Sequence, residues 1–168
     1  MFNSATKEQF LNDLRMMDPD MKVVIACDYG DRCHTTQAIP ATEVNELYLE
    51  DSAYSDSNYK LCEDGDQDSD NAPQVISLNA EDNYSMDTAF TVSELIDELE
   101  CAYEDDMLVA MGADFGDRSH TIQAIAVSDV GTAFISKSGY SLSGYKVVED
   151  GDQEDGDEEV VVINVDVL

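Results

Sequence analysis

DYGDRCHTTQAI at residues 28–39 returns as DFGDRSHTIQAI at residues 114–125. The two stretches lie 86 positions apart and agree at 9 of 12 positions. A second block, SAYSDSNYKLCEDGDQ at residues 52–67, returns at the same offset as SGYSLSGYKVVEDGDQ at residues 138–153, with 11 of 16 positions identical. Two copies of so long a period do not make a solenoid, and the reading is a duplicated domain. The repeat also sorts residues by role. A residue present in both copies belongs to the shared unit, and one present in a single copy is not needed to build it.

Each copy opens on a helix. Thr6-Lys7-Glu8-Gln9 and Thr91-Val92-Ser93-Glu94 fit the capping-box pattern, in which the Thr side chain and the fourth residue satisfy free backbone donors. Phe10, Leu11, Leu14 and Met17 then fall on one helical face, as do Val92, Leu95, Ile96 and Leu99. Asp18-Pro19-Asp20 stops the first helix. Short apolar runs follow, MKVVIACD at 21–28 and MLVAMGAD at 107–114, and each leads through a Gly-Asp turn into a second strand, predicting a β-hairpin. Further strands are predicted at NELYLE and TAFISK, at SNYKLCE and SGYKVVE, and at PQVISLN and EEVVVINVDV. Pro40, replaced by Ala126 in the second copy, marks a strand near an edge. The expected fold class is α+β, with two tandem similar units of one helix packed on a mostly antiparallel sheet of about five strands. Unit one is placed at residues 1–79, the connection at 80–90 and unit two at 91–168.

The order of helix, MDPD turn, strand and D-[YF]-G-D hairpin resembles small uncharacterised proteins of bacteriophage and prophage genomes. The matching stretch runs over residues 10–37, and less closely over 95–123, where the Asp-Pro is missing. The resemblance implies a phage accessory product acting in a host cell, and no activity.

Charge is the strongest compositional signal. There are 38 Asp and Glu against 8 Lys and Arg, a formal net charge of -30. At 43% hydrophobic the chain is too apolar for an acidic disordered tail. Such a charge repels itself within a compact fold, and it opposes direct binding to nucleic acid or anionic lipid. No apolar run approaches the ~20 residues of a membrane helix. The opening MFNSATKEQF lacks the basic and apolar regions of a secretory signal. Of Cys27, Cys33, Cys62 and Cys101, none has a cysteine counterpart in the other copy, and no CxxC spacing occurs. Reduced thiols and a cytoplasmic location are expected.

The residues with chemistry in both copies are Asp28, Gly30, Asp31, Arg32 and His34, repeated as Asp114, Gly116, Asp117, Arg118 and His120. An Asp beside a His can hold its tautomer and raise its pKa. No nucleophile is shared beside them, because Ser119 replaces Cys33, and one His per unit makes a poor metal site. The preferred reading is a structural hairpin, its glycine taking the turn and its polar groups bonding across it. No catalytic residue, metal or cofactor is assigned. The alternating acids Asp64, Asp66, Asp68 and Asp70, and Asp150, Asp152, Glu154, Asp155 and Asp157, miss the Gly and Glu positions of an EF-hand loop and read as solvated tips. Tyr54 and Tyr140, in matched serine-rich turns, are candidates for contact with a partner.

Three functions follow. In the first, the chain imitates nucleic acid and blocks the binding surface of a basic host protein, such as a restriction or CRISPR-type nuclease. Its contacts are the loop acids above and the helix acids Glu94, Asp97, Glu98 and Glu100. In the second, the chain is salt-adapted, as the excess of Asp over Glu and the scarcity of Lys suggest, or is another acidic protein-binding module. In the third, a ligand-binding or enzymatic site forms from the paired hairpins.

Overall fold

The computed structural model describes residues 2–27, 36–55, 57–79, 84–113 and 122–165. These contain two α-helices, α1 (Lys7–Leu14) and α2 (Val92–Ala102), and nine strands. The strands are β1 (Val23–Cys27), β2 (Gln37–Pro40), β3 (Val44–Asp51), β4 (Tyr59–Cys62), β5 (Gln74–Leu78), β6 (Val109–Ala113), β7 (Ile122–Lys137), β8 (Tyr145–Val148) and β9 (Glu158–Val165). The fold class is α+β with a mostly antiparallel sheet. No helix among the described residues is long and apolar enough to cross a membrane.

The helices begin where the capping pattern puts them. Thr6 accepts from the Gln9 backbone N–H, and the Gln9 side chain accepts in return from the Thr6 N–H, closing the capping box. Thr91 accepts from the Glu94 N–H, but here its hydroxyl also donates to the Glu94 carboxylate at 3.0 Å, so the box stays half made. Phe10, Leu14, Leu95 and Leu99 are fully buried. Each such side chain contributes on the order of 1.5–3 kcal/mol. The last turn of α2 carries no base of its own. Lys7 supplies one, its ammonium donating to the Tyr103 carbonyl and lying 3.4 Å from Asp105. A cation there complements the helix C-terminus, and Lys7 keeps it from a position that is itself buried.

Strand registers recur between the halves. Val24 faces Pro40 and Cys27 faces Gln37 in β1–β2, and Ala110 faces Ala126 and Ala113 faces Gln123 in β6–β7. Leu49 faces Leu61 in β3–β4, and Ile135 faces Val147 in β7–β8. The neighbours, however, do not follow the halves. β5 pairs in parallel with β6 of the second half, and β9 pairs in parallel with β1 of the first. The remaining exchange matches: β4 joins β7 at Lys60–Gln123, and β8 joins β2 at Lys146–Gln37. Even the isolated bridges are reciprocal, Thr6 with Leu108 and Thr91 with Lys22.

The result is one connected nine-stranded sheet closed twice on itself. β4, β3, β5, β6 and the start of β7 make one ring of five, closed by β4–β7. The rest of β7 with β8, β2, β1 and β9 makes the second, closed by β7–β9. Separate sheets at residues 1–79 and 91–168 are therefore not what forms, because each ring borrows a hairpin from the other half. Closure leaves few free edges for another chain to extend.

Three cores follow from this arrangement. Leu47, Leu49, Leu61, Val75, Ala110 and Ala124 draw on every strand of the first ring. Ala133, Ile135, Val160, Val162, Val24 and Ala38, with Val147 beside them, do the same for the second. Small residues at 24, 38, 110 and 124 suit the narrow interior of a five-stranded ring. The largest cluster lies between the rings and takes both helices, with Ile25, Ile39, Ile76, Leu78, Met111, Ile125 and Ile163. Both helices thus serve one shared core.

The halves differ where β2 should run into β3. Ala41 donates its N–H to Val23, so by alternation the nitrogen of Pro40 points away from β1. β2 lies between β8 and β1 and is not the edge strand that Pro40 suggested, but it meets β8 only at Gln37, so the missing donor is tolerated. Asn79, in the left-handed region at φ 55°, fills the break by accepting from the Thr42 N–H at 2.9 Å and donating to the Pro40 carbonyl at 2.6 Å. With Ala126 in place of Pro40, the second copy runs through as the single long strand β7, with only a bulge between Val127 and Asp129.

Candidate functional site

The acidic loops leave β4 and β8 through the same turn. Asp66 N–H donates to Glu63 C=O and Asp152 N–H to Glu149 C=O, both at 3.0 Å. The Gln67 and Gln153 side chains accept from the Gly65 and Gly151 N–H groups. Both glycines have positive φ, 94° and 103°, which is why the EDGDQ motif needs glycine at its centre. Asp64, Asp66, Asp68, Asp70, Asp150, Asp152, Glu154 and Asp155 are all exposed.

Past the shared turn the loops are anchored differently. In the first half, Glu50 on β3 is buried and accepts from the Ser69 N–H at 2.8 Å. Lys60 stands across the strand pair at 3.6 Å from Glu50 and 3.8 Å from Asp68. The Ser69 N–H, then the Asp68 N–H, the Cys62 thiol and the Lys60 charge hold the Glu50 carboxyl below its ordinary pKa, outweighing partial desolvation. Burial, with the carboxylate beside it, pushes the Cys62 thiol up, which makes it a poor nucleophile. In the second half Ser136 stands at the place of Glu50 and donates to Asp157, which also accepts from the Glu154 N–H. Glu50 did not stand out in the sequence, although Lys60 opposite it is a cross-strand charge pair that could have drawn attention.

The helix acids divide in the same way. Glu94, Asp97 and Glu98 are exposed on α2. Glu100 instead meets Arg15 at 2.7 Å. Five acids expected to face a partner thus have contacts within the chain: Glu100 with Arg15, Asp68 with Lys60, Asp157 with Ser136, Glu94 with Thr91 and Asp150 with Gln153. Lys7, Arg15, Lys22 and Lys60 are each within ion-pair distance of a carboxylate, whereas Lys137 is exposed and outside these pairs.

Tyr54 and Tyr140 are exposed at 63% and 60%. They project from hairpin turns built alike, with Ser52 N–H to Asn58 C=O and Ser138 N–H to Gly144 C=O, both 2.8 Å. A second bond, from Asn58 N–H to Ser55 C=O and from Gly144 N–H to Ser141 C=O, braces each turn at 3.0 Å.

Asp28, Gly30, Asp31, Arg32, His34, Asp114, Gly116, Asp117, Arg118 and His120 lie outside the described residues. Among the described residues no three His, Cys, Asp or Glu gather as metal ligands. A groove of about 590 Å³ between the N-terminal segment and β7 is lined by Asn3, Ser4, Gln9, Asn12, Asp13 and Ser128, amides and hydroxyls with one carboxylate. Comparison with protein-family models, with curated proteins and with solved structures found no match.

Proposed function

We propose that the protein is an acidic interaction protein that takes the place of nucleic acid on the basic surface of a partner. The observation that supports this reading is the division of charge. Acids stand exposed on matched loops and on α2, while four of the six described bases are drawn into ion pairs within the fold. Thirty net charges match roughly 50 Å of duplex, at one charge per ~1.7 Å. A compact chain of this size spans about 40 Å, a comparable density. The chain is read as one unit present twice, each with one helix and five strand segments, so that its acidic pattern repeats. The phage-like resemblance makes a host restriction or CRISPR-type nuclease the natural target, met in the cytoplasm, with no direct binding to nucleic acid or membrane and no cofactor.

The test is competition. A captured partner should be displaced by duplex DNA or RNA, and its binding should weaken steeply with added salt. Binding that ignores both nucleic acid and salt would remove the proposal.

The second reading, salt adaptation, draws on the 24 Asp against 14 Glu and the five Lys. Unfolding below roughly molar salt would favour it, whereas a mimic folds at low ionic strength.

A further inference from the structure

We infer that the partner has a two-fold axis of its own, and that Tyr54 and Tyr140 are its twin contact points. The inference rests on the mimicry reading and narrows it to a class of target. Every pairing between the halves is reciprocal: β5–β6 answers β9–β1, β4–β7 answers β8–β2, and Thr6–Leu108 answers Thr91–Lys22. Reciprocal pairing is the signature of a two-fold relation, here within one chain. What both halves keep, the tyrosine turns and the EDGDQ turns among it, is presented twice, turned about the same axis.

Duplex DNA with an inverted-repeat site has this symmetry, and the proteins that read such sites are dimers whose two-fold coincides with that of the DNA. A single-chain nuclease offers one cleft and engages one half at most. The tyrosines give the match a physical anchor. Each is a large amphipathic side chain more than half exposed, held out by a braced turn, in the manner of interface residues that bind with little loss of freedom. The two turns differ at three of seven positions, with Asp56 in one and Leu142 in the other, and both keep the tyrosine together with its three serines. The net charge of the chain, -30, selects a basic surface as the occupant.

The experiment titrates the intact protein into DNA cleavage by two sets of purified enzymes. One is a panel of homodimeric endonucleases that cut palindromic sites, and the other is a single-chain endonuclease without sequence preference. The expected result is inhibition confined to dimeric enzymes and saturating at one chain per dimer. Tyr54→Ala and Tyr140→Ala should each weaken it on the order of tenfold, and more in combination, with unchanged melting curves. Equal inhibition of both sets would leave mimicry standing and overturn the symmetry. Saturation at one chain per subunit, or full inhibition by the double variant, would overturn the inference as well. Inhibition of neither set would end both readings.

Discussion

Arg15 and Glu100 occupy the same place in their respective helices, each the ninth residue after its capping threonine, and their side chains meet at 2.7 Å. Equivalent positions touch each other only on the axis relating the two halves. An undiverged pair of units would have set like charges there. The opposite charges join the two halves and disfavour either one pairing with its own kind.

Reversing one charge should cost roughly 0.2–1 kcal/mol at low salt, because both side chains are about half exposed. Arg15→Glu and Glu100→Arg should each lower the urea midpoint, and the double reversal should recover most of it. Equal losses in all three variants would show that the pair is not coupled.

Cutting the chain within residues 80–83 should give fragments that fold together. Each ring needs strands from both pieces, so either fragment alone leaves both rings open. Mixed fragments should regain the circular dichroism of the intact protein as a one-to-one complex. Independent folding of the first fragment would contradict the exchange of strands.

Ser77 is fully buried in β5, and its hydroxyl has no hydrogen-bond partner among the described residues. Val162 holds the equivalent register on β9, facing Val24 as Ser77 faces Ala110. Ser77→Val should therefore raise stability by about 1–2 kcal/mol, by removing a buried unpaired polar group and adding apolar contact. A lower denaturant midpoint would mean the first ring is too tight for the added carbon.

Glu50 sets an acid limb to stability. Its folded pKa lies below the ordinary glutamate value of about 4.3, so the unfolded chain binds the proton more readily. Its contribution is complete above that value and is lost as pH falls through the folded pKa. Acid also relieves the general repulsion of so many carboxylates, which acts in the opposite direction. Comparing wild type with Glu50→Gln at each pH isolates the local effect: the difference should shrink as pH falls. A constant difference would show that Glu50 is not the titrating group.

Replacing Asp64, Asp66 and Asp70, or Asp150, Asp152, Glu154 and Asp155, by their amides should weaken partner binding roughly in proportion to the charges removed, since exposed pairs are each worth ~0–1 kcal/mol. Isothermal titration at physiological salt measures this. Variants that bind as well as wild type would return the acidity to solubility or salt adaptation.

The local elements were readable because their causes are local. A threonine followed three residues later by Gln or Glu starts each helix, and short apolar runs make the strands. The neighbours of those strands were not readable, for a reason peculiar to a duplicated chain. Val23 and Val109 head equivalent short apolar strands, so nothing in β5 indicates whether it should lie beside β1 or β6. Pairing inside a half and pairing across halves look the same in sequence, and only the closure of two rings distinguishes them. At the candidate surface the loops were legible as exposed acid. The internal duties of Asp68, Asp157 and Glu100 depend on Lys60, Ser136 and Arg15, partners that chain order does not reveal.

The parallel pairing of β1 with β9 has a consequence for how the molecule is made. Ribosomes deliver the chain from its N-terminus, and the first ring has all its strands once the start of β7 emerges. The second ring waits for the last strand. The β1–β2 hairpin lacks β8 until residues 145–148 are made and β9 until residues 158–165 are made, and its apolar faces stay open to misassociation in the meantime. Loss of the final strand through a premature stop would therefore strip the support from β1 and β2 at the opposite end of the sequence, and such products should be prone to aggregation and proteolysis.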